Sequence, residues 1–372
     1  MARTIVDIHV IQTVPPSNLN RDDNGSPKTA VYGGRRRARV SSQAWKRATR
    51  NAFDELLDPS ELGVRTKQVV ELLAEEITRQ DTALADRAAE LAEAVLLAAG
   101  IKIVAPRKKG AANESQFLLF LSARQITGLA ELAVEAGQAE GKPAIDKATA
   151  RARADREHSV DVALFGRMVA DATDLNVDAA CQVAHALSVH AVETEYDYFT
   201  AVDDHKDKDD EEDAGAGMIG TVEFNSSTLY RYATIDVDRL RDNLGDDAAT
   251  TRAVEAFTRA FVASMPTGKQ NTFANRTLPD AVLIVARRTQ PINLVGAFEE
   301  AVENTAGRIA TAIAKLVGHA RELHTAFDEQ PVAAWVFGVG DKIAPLTGLA
   351  QRTTFEPAIT ALGALVGERL GQ

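Results

Sequence analysis

Residues 4–14 read TIVDIHVIQTV, an apolar run interrupted at intervals by polar residues. At a two-residue period, Val6, Ile8, Val10 and Val14 share one face. Ile5, Asp7, His9, Ile11 and Thr13 share the other. That pattern predicts a β-strand at the start of the chain. Asp7, His9 and Gln12 also rule out a signal-peptide core for this run. Beyond it, PPSNLNRDDNGSPK (15–28) is dense in turn formers and predicts a long loop. Ser41 or Ser42 then supplies an N-cap for a helix running to about Leu57, which Asp58-Pro59 ends.

From about Ser60 to Glu157 the character changes. This stretch is rich in alanine, holds no tryptophan or tyrosine, and shows helical spacing at Val69/Leu72/Leu73/Ile77 and Ile126/Leu129/Leu132/Ala133. It reads as a helical insertion, interrupted by the basic loop APRKKGAAN (105–113). Strand-like patterns return at Val160/Val162/Leu164 and Val183/His185/Leu187/Val189. They continue at Leu229/Arg231/Ala233/Ile235 and in AVLIVA (281–286). Helical patterns close the chain at about 293–327 and 355–370, and the acidic tract 203–217 reads as a mobile hairpin tip. Strands on both sides of a helical insertion predict an α+β sheet domain, residues near 1–60 and 160–372, with an inserted lobe.

The 372 residues suffice for one large domain with insertions or for two domains, and 45% hydrophobic with 26% charged residues is the profile of a soluble globular protein. The lone Cys181 excludes an intramolecular disulfide and a multi-cysteine zinc site, and is expected to be a buried, inert thiol in a reducing compartment. No run of about 18 apolar residues is present, so no membrane span is expected and the cytoplasm is the expected location. The net charge of −11 argues against nucleic acid as a partner, but the charge is uneven. Between Asn24 and Phe53 there is no acid, against eight cations: Lys28, Arg35, Arg36, Arg37, Arg39, Lys46, Arg47 and Arg50. Asp203–Asp213 holds eight acids against two lysines. Screening limits each field to roughly 8 Å at physiological salt, so the local distribution outweighs the sum.

The strongest motif is GGRRRARVSSQAWKRATR (33–50). On a helix starting near Ser42, Gln43, Lys46, Arg47 and Arg50 line one face, and Trp45, Thr49, Ala52 and Leu56 a more apolar one. Such a basic face is either merely solvated or built for phosphates. The thirty residues without a balancing acid favour the anion-binding reading. Asn20-Arg21-Asp22-Asp23 reads as an Asx turn in preference to a metal-binding acidic pair. His185 and His190 are about 140° apart on a helix and on opposite faces of a strand, so they are not expected to share a metal. Gly268-Lys269 fails the P-loop pattern because Ala263 stands at the first glycine position, though Lys269 with Thr267, Gln270, Asn271 and Thr272 suits a phosphate-contacting loop. Tyr198, Phe199 and Val202 precede the acidic tip and serve either as core or as a wedge that parts bases; Met168 is open in the same way.

The segments LNRDD (19–23), GGRRRARVSSQ (33–43), KRA (46–48), VDVALFGRM (160–168), VAHALSVH (183–190), DYFTAVDD (197–204), GTVEFNSSTLYRYA (220–233), NLG (243–245) and GKQNT (268–272) stand in one order. In that order the chain resembles the CasC family, the backbone subunit that binds CRISPR guide RNA (crRNA) in the type I-E Cascade complex. The likeness covers the chain to about residue 286. It implies a modified ferredoxin-like, RRM-like palm of the RAMP superfamily (1–60, 160–196 and 224–372), helical fingers (61–159) and a thumb hairpin (197–223). It implies copies polymerised head to tail on the guide, other Cascade subunits as partners, and pairing of the guide with target DNA in antiviral defence. By motif, Asn20, Arg21, Lys28, Ser41, Gln43 and Lys46 should contact the guide backbone, together with Arg36, Arg47, Arg50 and Lys269 of the basic segments. Met168 should sit at a kink in the RNA, and Phe199 and Val202 on the thumb; the acidic thumb tip departs from the family and puts a phosphate contact there in doubt. No cofactor, metal or catalysis is expected. The alternative is an RRM-like endoribonuclease that processes repeat RNA, with His9, His158, His185 or His190 as general base.

Overall fold

The structure, a computed structural model, describes residues 3–106, 112–139, 144–169, 172–201, 218–303 and 307–371. The opening run forms β1 (Ile5–Ser17), which continues past its sequence pattern because Pro15 and Pro16 ride over a register shift between Val14 and Ser17. Proline lacks a ladder donor and is tolerated at such an irregularity, so part of the predicted loop is strand. β2 (Thr29–Tyr32) and β3 (Arg35–Val40) form a hairpin, followed by α1 (Ser42–Ala52). α1 ends before the expected Leu57, because Phe53 turns into the core through a short 3-10 turn and is fully buried.

The insertion comprises β4 (Gly63–Thr66), α2 (Val69–Gln80), α3 (Ala88–Ala98), β5 (Ile103–Val104), β6 (Glu114–Ser115), β7 (Leu119–Ser122), α4 (Ala123–Gln138) and α5 (Lys147–Ala154). α2 and α4 lie where the helical spacing put them, and Leu73, Ile77, Leu91, Val95, Leu129 and Ala133 close a core of their own. Two short antiparallel pairs, β4 with β7 and β5 with β6, interrupt the helices and carried no sequence signal. The expected strand at Val160/Val162/Leu164 is instead α6 (Val160–Phe165). Residues 160–164 are buried on every side, so their apolar spacing held no face information for either structure.

β8 (Cys181–Val183) and β9 (Ala186–Ser188) divide the expected strand around His185, and β10 (Glu195–Ala201) leads to β11 (Met218–Asp236). α7 (Val237–Leu244), α8 (Asp247–Ala263), α9 (Gln270–Phe273) and β12 (Ala281–Arg287) follow. The chain closes with α10 (Arg308–Ala326), β13 (Ala333–Gly338), β14 (Gln351–Arg352) and α11 (Phe355–Leu370). The predicted helix from 293 therefore starts later, since Asn293 caps a separate 3-10 turn at Leu294–Phe298.

One large sheet runs β14-β13-β12-β1-β11-β9-β3-β2, with β8 and β10 also paired to β11. β1 is central and antiparallel to both neighbours, Ile8 standing opposite Ala233 and Ile284. Val6, Ile8 and Val10 join Phe257, Phe261 and Leu362 in one core, while Ile11 joins Ile313 and Leu316 in another. Helices thus cover both faces, and the polar positions of β1 are not solvated: Asp7, His9 and Gln12 are all buried. Asp7 is satisfied by the Tyr232 hydroxyl at 2.7 Å, Arg287 Nε at 2.9 Å and the Ile292 N–H at 3.1 Å. Burial still holds its pKa above the ordinary value, against the pull of Tyr232 and Arg287. Cys181 is buried, and desolvation pushes its thiol up to about 12.

A candidate nucleic-acid interface

The inner side of α1 decides what its outer side presents. Trp45 and Thr49 are fully buried, and the Arg231 guanidinium stacks 3.7 Å from the Trp45 ring centroid. The opposite side turns Gln43 and Arg47 to solvent and leaves Lys46 and Arg50 half-buried. Lys46 Nζ lies 5.8 Å from the centre of the Phe165 ring and the Arg50 guanidinium 5.7 Å from that of Phe120, so both charges are held over aromatic rings that line the same open groove. The groove, about 830 Å³, is lined by Gln43, Lys46, Arg47 and Arg50 of α1 together with Arg65, Leu118 and Met168 from elsewhere in the chain.

Met168 reaches that wall through a backbone arrangement only the fold creates. Gly166 ends α6 at φ +79°, and a Cβ there would stand 2.8 Å from the Val177 carbonyl. Arg167 turns inward, donating to the Leu175 carbonyl at 2.7 Å and to Gln125 Oε1 and Asp155 Oδ1 at 3.3 Å each. Burial lowers its pKa to about 10. Met168 points the other way and is 81% exposed, so it is not core within this subunit. Arg167, which the sequence reading passed over, is the residue that orients it.

A second cluster surrounds the α1 N-terminus. Ser41 Oγ accepts the Ala44 N–H, Asn20 Oδ1 accepts the Ser41 N–H at 2.9 Å, and the Asn20 carbonyl accepts the Lys28 N–H at 2.9 Å. Asp22 Oδ1 accepts the N–H groups of Asn24 and Ser26 at 2.9 and 3.0 Å, the expected Asx turn, and Arg21 and Arg36 extend into solvent. His185, assigned no role beyond the alternatives above, accepts the Ser42 N–H on Nδ1 at 3.1 Å and approaches Arg39 at 3.5 Å. Partial burial lowers its pKa, as do Arg39 and Lys28. Arg37 does not belong to this charge: it is buried and donates to the carbonyls of Tyr32, Ser188, Phe298 and Glu299. His190 is elsewhere, its Nε2 accepting the Thr228 N–H at 3.1 Å.

Lys269 sits at φ +51° beside the same loop, and the preceding Gly268 abuts Leu19 so closely that a Cβ would stand 2.1 Å from the Leu19 carbonyl. The hairpin of β10 and β11 is tied to this region by Asn18 Nδ2, which donates to the Glu223 carbonyl at 2.9 Å, and by Phe224 against Phe273. Phe199 faces Gly220 across the strands, where a Cβ would come 2.3 Å from its ring, and remains 41% exposed. Tyr196 and Tyr198 are also exposed, one strand face over, and Tyr196 escaped notice because alternate acids flank it. Neither Phe199 nor Lys269 lines the α1 groove. Val202 and the tract 203–217 lie outside the described residues, as do residues 107–111 of the basic loop. Among the described residues no three His, Cys, Asp or Glu side chains group to hold a metal ion, and no helix is long and apolar enough to cross a membrane.

Fold and groove together define a mixed α+β protein with a cationic, acid-poor channel along one helix. The chain belongs to the CT1975-like protein family, whose model matches residues 6–361; this is the CasC-like family its motifs resemble. Among solved structures, a chain described as "CRISPR RNA-guided surveillance complex, pre-nicking" is 36% identical, with a TM-score of 0.84 over 97% of this chain and 100% of that one. A second, "CRISPR RNA-guided surveillance complex", is 32% identical, with a TM-score of 0.74 over 97% of this chain and 99% of that one. No curated protein matches.

Proposed function

We propose that this chain is the non-catalytic backbone subunit of a type I-E CRISPR surveillance complex, polymerising head to tail on guide RNA and presenting its bases to target DNA. The observation that carries the reading is the α1 groove, which Gln43, Lys46, Arg47 and Arg50 line together with an exposed Met168. Point charges and a guanidinium fork along one helix suit a phosphate backbone read without regard to base. Sequence discrimination then belongs to the guide, which pairs with its target. Asn20, Arg21, Lys28, Arg36, Ser41 and Lys269 continue the backbone path past the α1 N-terminus; Met168 and, from the thumb, Phe199 and Val202 hold one nucleotide out of line at each subunit junction.

The antiparallel order β12-β1-β11-β8 supports an RRM-like palm, with the lobe of α2–α5 as fingers and the β10–β11 hairpin as thumb. The non-catalytic assignment rests on His9, His158 and His190; the fourth candidate, His185, is exposed, with its Nδ1 taken by the Ser42 N–H. Burial lowers His9 to about 3 and His158 and His190 to about 4, and each already has a partner in the fold. The test is purification of the full chain from cells expressing a CRISPR array, followed by chemical probing of the RNA it carries. Reactive nucleotides at one regular interval are expected, with no cleavage of added repeat RNA. RNA-free protein, or uniform reactivity along a bound guide, refutes the reading.

A further inference from the structure

Arg231 is a charge without a counter-charge. It lies on β11, 1% exposed, and no carboxylate among the described residues comes within salt-bridge distance. Its guanidinium is held between the rings of Trp45 at 3.7 Å and Phe261 at 4.6 Å. Nη1 donates to Gln12 Oε1 at 2.5 Å, Nη2 donates to the Phe261 carbonyl, and Nε has no partner among the described residues. The Phe261 carbonyl belongs to the last turn of α8, whose dipole supplies about half a negative charge. The balance is unmet. Other buried arginines differ: Arg287 is paired with Asp7 and Arg167 with Asp155, and Arg37, which has no carboxylate partner among the described residues, donates to four backbone carbonyls where Arg231 reaches one.

A buried unpaired cation is costly, and burial alone lowers the Arg231 pKa to about 9. Its position suggests what completes it. Trp45 is the inner side of α1, so Arg231 lies across one helix, about 10–12 Å, from the groove face of Lys46, Arg47 and Arg50. Through protein the field is weakly screened over that distance. Through Gln12, which accepts from Arg231 and whose Nε2 donates to the Thr277 carbonyl at 2.9 Å, Arg231 is also linked to the segment before β12.

We propose that Arg231 is a positioning residue whose buried charge is balanced by the nucleic-acid backbone bound on the outer face of α1. Strand binding and core stability are then coupled through one side chain that touches no nucleotide. The inference rests on the RNA-binding reading above.

The test measures affinity for a mixed-sequence single-stranded RNA and thermal unfolding with and without that RNA, in the unmodified protein and in Arg231→Met, Arg231→Lys and Trp45→Phe. Arg231→Met removes charge but keeps length. It should weaken RNA binding three- to tenfold and shrink the stabilisation RNA confers. Arg231→Lys and Trp45→Phe retain the charge and disturb the stacking, so their affinities should stay within twofold of the unmodified protein. A purely structural role predicts the reverse, with Arg231→Lys and Trp45→Phe losing affinity as much as Arg231→Met, and that result overturns the proposal. If Arg231→Met does not fold, Arg231→Gln takes its place as the charge-removing variant under the same criterion. Absence of RNA binding by the unmodified protein sinks the functional reading itself, and this inference with it.

Discussion

Removing the charges of Lys46 and Arg47 together tests the α1 groove most directly. Each phosphate contact on a single strand contributes about 0.7 to the slope of log K against log salt. Two lost contacts should flatten the line by about 1.4. Extrapolated between 1 M and 0.1 M salt, that is about 25-fold in affinity at 0.1 M, or ~1.9 kcal/mol. Arg47 is exposed, and its truncation should leave stability unchanged. Lys46 also rests on Phe165, so Lys46→Ala should cost about 0.5–1 kcal/mol of folding stability as well. Arg50 is better left in place. Asp161 is buried, which raises its pKa; the Ser159 hydroxyl and Arg50 draw it back down. Loss of Arg50 would mix folding with binding. The assay is fluorescence anisotropy with two RNAs of unrelated sequence at several salt concentrations, with far-UV circular dichroism to confirm the fold. The slope should fall equally for both RNAs. Parallel lines for variant and unmodified protein would refute the groove as the phosphate path, and a loss confined to one RNA would refute backbone recognition.

Gly220→Ala should lower the unfolding temperature by an amount equivalent to about 1–3 kcal/mol, because its Cβ would intrude on the Phe199 ring; adding Phe199→Ala should restore most of the loss. Met168→Ala should change stability by less than about 0.5 kcal/mol, since the side chain is exposed, yet blur the periodic reactivity of the bound guide in chemical probing. Stability should also decline in mild acid. His9, His158 and His190 have folded pKa values near 3, 4 and 4, all lowered chiefly by burial. The unfolded chain therefore takes up protons that the folded one does not. Stability present above about pH 6.5 is lost as the pH falls towards 4, at up to about 1.4 kcal/mol per pH unit for each histidine. Urea titrations at pH 7, 6 and 5 measure this, and a flat profile would show that these rings are not held neutral.

The helices legible in the sequence were those whose two faces differ chemically. The basic face of α1, and α2 and α4, announced themselves by period, since one side meets apolar core and the other does not; β1, buried on both faces, was legible from its length and from the regular placing of polar residues within an apolar run. The stretch at 160–164 was misjudged because it is buried all round, which removes the contrast that periodicity needs. The acid-free run from Asn24 to Phe53 located the cationic surface by composition alone, but could not say which charges face out. Tertiary structure decided that: Arg37 is consumed by four backbone carbonyls, while Lys46 and Arg50 rest on Phe165 and Phe120, residues far away in sequence. The same holds for Met168, whose exposure depends on Arg167 being anchored to Leu175 and Gln125. Local sequence carries propensity and pattern, because those depend on a residue and its near neighbours. Desolvation, charge pairing and the direction a side chain takes depend on what the folded chain brings beside it, as with the uncompensated Arg231 between Trp45 and Phe261.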